Sequence, residues 1–120
     1  MINLLKETNH ILEQHKKTLN DIEYIYLGDK CIKSKNVDLN ELLNFEYDDG
    51  YGKVEINPVF RLVGKDFWLE RDEEDGSEWW KFETKPSFKN EVKEIKLGEL
   101  LTPYGKRQYN EKYTYSRERV

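Results

Sequence analysis

The chain has 120 residues, a formal net charge of −4, and equal shares, 37%, of hydrophobic and charged residues. That length supports one domain with a modest core and excludes two independent ones, and a core so short of aliphatic residues must draw volume from the 13% that is aromatic. One cysteine, Cys31, excludes an internal disulfide framework and favours a reducing compartment, while no window has the apolar length to span a bilayer and the N-terminus lacks an export-signal pattern.

The first segment reads as a helix from about Ile2 to about Asn20. Met1, Leu5, Thr8, Leu12, His15, Leu19 and Ile22 recur at alternating spacings of four and three, widened by Leu4 and Ile11. Such a stripe packs on a sheet of its own domain by default, or pairs with a second copy as a short coiled coil. His15 on this seam is expected as a buried, hydrogen-bonded histidine, because His10, five residues away, shares no helical face with it. Asp21 to Ile32 alternates apolar and polar residues around Gly28-Asp29, a hairpin pattern. Asp38 then caps a short helix within Asn36–Phe45 that buries Leu39, Leu42 and Leu43, and Phe45 to Lys53 forms a shaped loop rich in Asp, Gly and Tyr.

From Val54 the pattern is that of a meander. Asn57-Pro58 delays a strand to about Val59, and Gly64-Lys65 turns the chain. Asp66–Arg71 then pairs with Glu78–Thr84 across an acidic turn, Asp72 to Ser77. Alternation places Phe67 and Leu69 on one face and Trp68 and Glu70 on the other, and it sends Trp79 and Trp80 to opposite faces. Large aromatics on both faces need cover on both, and a binding partner is one source of it. Beyond Pro86 the chain reads either as a short helix over Phe88–Leu101 or as a strand at Val92–Leu97 that breaks at Gly98. The fold class is therefore α+β: an N-terminal helix packed on an antiparallel β-sheet with a central aromatic hairpin. Residues 1–102 form the domain and residues 103–120 a basic, Tyr-rich C-terminal tail.

Charge is divided along the chain. Residues 38–83 carry fourteen Asp or Glu against five Lys or Arg, and residues 103–120 carry five Lys or Arg against two Glu. An acidic centre repels nucleic acid and attracts a basic partner, including a protein groove that normally holds nucleic acid. The basic, tyrosine-bearing tail could stack on single-stranded nucleic acid, or pack on the acidic body, which the overall negative charge favours. No direct nucleic-acid binding is expected of the chain.

Catalytic constellations are thin, and the chain is expected not to be an enzyme. Asp66 with Glu83-Thr84-Lys85 has the acid and E-x-K arrangement of a magnesium-dependent nuclease, and a hairpin ion pair explains it equally well. The acidic runs at residues 72–78 and 48–50 offer oxygen ligands but not the ligand spacing of a calcium loop. No phosphate-binding glycine loop, zinc set or nucleophile elbow is present, so neither metal nor cofactor is expected.

Three segments, FEYDDGYG at 45–52, LVGKDFWLER at 62–71 and DGSEWWKF at 75–82, together resemble a motif of small phage- and prophage-encoded proteins of low-GC Gram-positive bacteria. The resemblance spans about residues 38–86 and implies a setting in the host bacterial cytoplasm more than an activity. In that setting the expected role is a non-catalytic, anti-CRISPR-like inhibitor of a defence nuclease. The alternative is a structural or accessory protein of the phage that self-associates, as a homodimer for instance, or docks on another phage protein. The contact residues expected are Trp68, Glu70, Asp72, Glu73, Glu74, Asp75 and Trp79, with Asp48, Asp49 and Tyr51 from the adjacent loop.

Overall fold

The computed structural model describes residues 1–48, 53–84 and 90–113. Within them the fold is α+β. A six-stranded sheet is built from β2 (Ile22–Leu27), β3 (Lys30–Lys33), β5 (Phe60–Gly64), β6 (Phe67–Glu74), β7 (Ser77–Thr84) and β8 (Asn90–Glu91), in the order β7-β6-β5-β2-β3-β8. All neighbours are antiparallel except β8, which adds parallel to β3. A separate two-stranded ladder joins β1 (Ile2–Asn3) to β4 (Glu46–Tyr47).

Helix α1 (Leu4–Gln14) is shorter at both ends than its apolar stripe suggests. Its start is fixed by Asn3, whose side chain accepts from the Lys6 amide at 3.0 Å while its backbone belongs to β1. Its end is a Schellman motif built without glycine. Lys16 takes φ +61°, its amide donates to Glu13 O, and the Lys17 amide donates to Leu12 O. Leu4, Thr8 and Leu12 are buried, so the stripe is spent inside the monomer and a coiled coil is not needed to cover it. His15 departs from expectation: placed just past the helix end, it stands exposed and stacks face to face on Phe82, ring centroids 3.7 Å apart, with Phe67 stacked beyond.

The first hairpin forms as read, with Gly28 at φ +67° in its turn. A register shift between Ile22 and Tyr24 lets Ile22 and Ile25 both face the core despite their odd spacing. Helix α2 (Leu39–Leu42) is capped by Asp38, which accepts from the Glu41 amide. The central hairpin is longer than expected. β6 continues through Asp72, Glu73 and Glu74, and the turn is only Asp75-Gly76, both at positive φ, 55° and 87°. That is the two-residue geometry whose twist matches the flanking strands. Acidic residues with weak β-propensity were drawn into the ladder by register with Glu78 and Trp79.

After β8 the chain makes α3 (Leu97–Leu100), so a short helix does form within Phe88–Leu101 but only at its end, while the strand expected at Val92–Leu97 lies instead at Asn90–Glu91 and Gly98 sits inside the helix. Glu99 anchors this turn to β3 through Lys30 Nζ at 2.6 Å. Helix α4 (Pro103–Tyr113) occupies the first part of the tail. Thr102 Oγ1 accepts from the Gly105 amide and donates to Val54 O, Gly105 lies against the Glu55 backbone, and Tyr109 meets Phe45 edge-on. The core joins Leu4, Leu12, Phe60, Leu62, Phe67, Leu69, Trp80 and Leu100, all nearly solvent-free. Among the described residues no helix is long and apolar enough to cross a membrane.

Two predictions follow from these anchors. A Cβ on Gly105 would overlap the Glu55 carbonyl, which is backbone and cannot swing aside. Gly105→Ala is expected to cost about 1–3 kcal/mol in chemical denaturation, with faster amide exchange in α4 than in α1. The Lys30 ammonium holds the Glu99 carboxyl below the ordinary carboxylate range. Its stabilising contribution is therefore present above the unfolded-state value and is lost as pH falls through the folded-state value. Glu99→Gln should thus be less stable than the parent at neutral pH, by at most about 1 kcal/mol for so exposed a pair, and the gap should close in acid.

Candidate protein-binding surface

The pleat divides the hairpin into two faces. Phe67, Leu69, Arg71 and Glu73 of β6, with Glu78, Trp80 and Phe82 of β7, turn inward; Trp68, Glu70, Asp72 and Glu74, with Trp79, Lys81 and Glu83, turn outward. The inward set continues the alternation that buries Phe67 and Leu69, and it delivers an arginine and a glutamate into the interior.

Arg71 and Glu78 have side chains only 2% and 1% exposed. Arg71 Nη2 lies 3.3 Å from Glu78 Oε1 and donates to the Tyr47 hydroxyl at 3.0 Å, and Nη1 lies 3.4 Å from Glu7 Oε2. Its guanidinium packs over the rings of Trp80 and Tyr47, 4.7 and 5.3 Å from their centroids. Glu78 also accepts from the amides of Glu55 and Ile56 at 2.7 and 3.1 Å. Glu7 accepts from the Tyr47 hydroxyl and from the Trp80 amide, the latter at 2.8 Å, so α1 caps an outward amide of edge strand β7. Thr8 receives the Trp80 indole N–H at 2.8 Å. Burial is the largest influence on Glu78 and holds its carboxyl above the ordinary range, against the pull of Arg71 and the two amides. The sign follows: between the ordinary and the raised value the folded state holds a proton that the unfolded state has released, so this group's contribution falls as pH rises. Burial likewise raises the Tyr47 phenol.

The outer face is a cross-strand ladder. Lys81, Glu70, Arg61, Tyr26 and Cys31 stand opposite one another in turn, and beside them run Glu83, Trp68, Val63, Tyr24 and Lys33. Tyr26, Cys31 and Val63 are buried here, with Tyr24 and Trp68 packed against them. Glu70 Oε1 accepts from the Trp68 indole at 2.7 Å and lies 3.8 Å from Arg61 Nε. Lys81 pairs with Glu83 at 3.0 Å, which raises its pKa. Trp79, opposite Asp72, is 37% exposed, and Asp72, Glu73, Glu74 and Asp75 are all exposed around the turn.

The expected contact residues therefore fall into separate groups. Asp72, Glu74 and Trp79 share the outer side of the hairpin tip; Trp68 and Glu70 lie on the same face but are half-buried and hydrogen-bonded to each other. Glu73 faces inward, directly opposite Glu78. Asp48 is half-buried, its amide donating to Glu55 at 3.1 Å, and Asp49 and Tyr51 lie outside the described residues. Asp66 is 3.6 Å from Lys17, so it and Glu83 are each engaged with a lysine. Among the described residues no three His, Cys, Asp or Glu side chains are grouped to hold a metal. Glu7, Tyr47 and Arg71 lie outside the contact set expected from the sequence, and the fold brings them together with Glu78. Comparison with protein-family models, characterised proteins and solved structures finds no match to this chain.

Removing the guanidinium while keeping the stem leaves two carboxylates without their cation. Arg71→Met is expected to lose about 3–5 kcal/mol of stability in urea unfolding. A loss below about 1 kcal/mol would mean that water already shares the cluster.

Proposed function

We propose that this chain is a non-catalytic protein-binding module that presents the tip of its central hairpin to a basic partner. The observation that carries the reading is Trp79, an exposed indole directly across from Asp72 on a hairpin tip where Glu74 and Asp75 are also exposed. An aromatic anchor supplies desolvated contact area, and surrounding charge selects and steers a partner of opposite sign. The tight turn and the ionic core beneath the tip support the reading, because a surface already held in one shape loses little entropy on binding.

The partner class that best suits an acidic, aromatic tip is a protein groove shaped for nucleic acid. Taken with the resemblance to phage and prophage proteins, this makes the chain an anti-CRISPR-like inhibitor of a defence nuclease in the host bacterial cytoplasm. Binding there competes with the nucleic acid and requires no chemistry from the inhibitor.

Affinity capture from a host carrying defence systems, followed by titration of the purified partner with and without its nucleic acid, tests this. Trp79→Ala should weaken binding by about 2 kcal/mol, roughly 30-fold, with unchanged circular dichroism. Joint reversal of Asp72 and Glu74 to Lys should slow association about tenfold at low salt and less as salt is raised. Unchanged affinity in both variants would remove the tip from the interface. Recovery of the chain itself, or of phage components alone, would assign the accessory role instead.

A further inference from the structure

Between the inner side of the hairpin tip and the segment that precedes β5 lies a cavity of about 220 Å3. Val54, Pro58 and Thr102 form one wall, Arg71 and Glu78 belong to the other, and the accessible lining is almost entirely apolar. Asp72 and Glu73, both exposed, complete it at the rim. Glu78 is already engaged by the amides of Glu55 and Ile56 and by the Arg71 guanidinium. Arg71 is satisfied at Nη1 by Glu7 and at Nη2 by Tyr47 and Glu78. Its Nε is, among the described residues, a buried side-chain donor without a hydrogen-bond partner, on a side chain only 2% exposed. A buried donor left unpaired forfeits more than an ordinary hydrogen bond gains, and most of all on a charged group.

This chemistry restricts what fits. A cation finds no free acceptor in the wall. An anion meets the carboxylates of Asp72, Glu73 and Glu78 beside a guanidinium already shared between two acids. A hydrocarbon fills the space but leaves Nε unpaired. What remains is a neutral group with an apolar body and one acceptor oxygen, and since an apolar cavity of about 150 Å3 takes benzene, the space suits a ring bearing that oxygen. The cluster already uses such a group: Arg71 Nη2 donates to the Tyr47 hydroxyl, which donates to Glu7. Resting on the reading of the hairpin tip as a protein-binding surface, we propose that this cavity receives the side chain of one tyrosine from the partner, its ring against Val54 and Pro58 and its hydroxyl accepting from Arg71 Nε. The hydroxyl proton is donated to a rim carboxylate, Glu73 or Asp72, which repeats at Nε the arrangement Tyr47 makes at Nη2. Tyrosine brings a rigid apolar body with one polar end, the combination that interfaces favour. With Trp79 on the opposite face, the partner then holds the tip from both sides.

The full chain, labelled with 15N, is titrated with p-cresol, which is the tyrosine side chain as a free molecule, and with toluene, benzylammonium and benzoate. Saturable shifts of the Val54 and Thr102 amides with p-cresol are expected, together with a downfield move of the Arg71 Nε–H. Toluene should bind about tenfold more weakly and leave Nε–H in place, and neither charged ring should saturate. Absence of saturation with p-cresol, equal binding of toluene or of a charged ring, or p-cresol binding that leaves Nε–H unmoved would each overturn the assignment. Val54→Phe fills the space, so it should abolish p-cresol binding and weaken the partner about tenfold; full partner affinity in that variant, with unchanged circular dichroism, would overturn the occupant named. The reading beneath it is tested separately by Trp79→Ala. If that variant loses the partner while p-cresol fails to bind, the tip stands and the cavity does not; if p-cresol binds, Val54→Phe loses the partner and Trp79→Ala keeps it, the cavity stands and the indole does not.

Discussion

The structure depends on one buried guanidinium. Arg71 is held between Glu78 and Glu7, and those two carboxylates accept hydrogen bonds from four further places in the chain: the Tyr47 hydroxyl on β4, the Trp80 amide on β7, and the amides of Glu55 and Ile56. Helix, edge strand, short ladder and the segment preceding β5 thus converge on three charged side chains. Desolvating such a group costs several kcal/mol per ion, which its attractions offset only when geometry and remaining hydrogen bonds are good. What the cluster supplies beyond net stability is uniqueness. A slip of one residue between β6 and β7 would turn Arg71 to solvent and leave Glu78 buried without a cation, so alternative registers are strongly disfavoured.

That constraint explains how a thin core can carry so charged a strand. β6 ends in Arg71-Asp72-Glu73-Glu74, four consecutive charged residues with little intrinsic preference for a strand. They remain in the ladder because Arg71 is fixed from within and because Asp75-Gly76 adopts the positive φ values that close a two-residue turn. The acidic tip is consequently a rigid extension of the sheet. A surface already held in one shape loses little entropy on binding, which is what the proposed recognition role needs.

Alternation and turn chemistry were the parts of the fold most open to reading from sequence. The period-two pattern placed Phe67 and Leu69 inside and separated Trp79 from Trp80, while Gly28-Asp29 marked its hairpin, because burial and backbone geometry there act between near neighbours. The end of α1 was hidden because its left-handed residue is Lys16, where glycine is the usual marker. His15 was misplaced for the same reason: a helix continued past Gln14 would have buried it, whereas the actual stop leaves it capping the Phe82 ring. The length of β6 was hidden by composition, since an acidic run looks like a turn until its cross-strand partners are known. The ionic cluster was hidden most deeply, because Glu7, Tyr47, Arg71 and Glu78 come from distant parts of the chain. One local clue was available: extending the inward alternation from Phe67 and Leu69 by two residues arrives at Arg71, and a buried arginine requires an acid.

The C-terminal helix belongs to the same network. Glu78 fixes the Glu55 and Ile56 amides, Glu55 O accepts from the Thr102 amide at 3.0 Å, and Ile56 bridges to Leu101. Thr102 then caps α4, whose Gly105 has no room for a Cβ against Glu55. The path from hairpin to tail is therefore a run of direct hydrogen bonds and backbone contact. Any shift of the Glu78 carboxylate would be felt along it, because it would move the two amides beside which α4 docks. The start of α4, which carries Lys106 and Arg107, is thereby placed by the acidic hairpin through the interior.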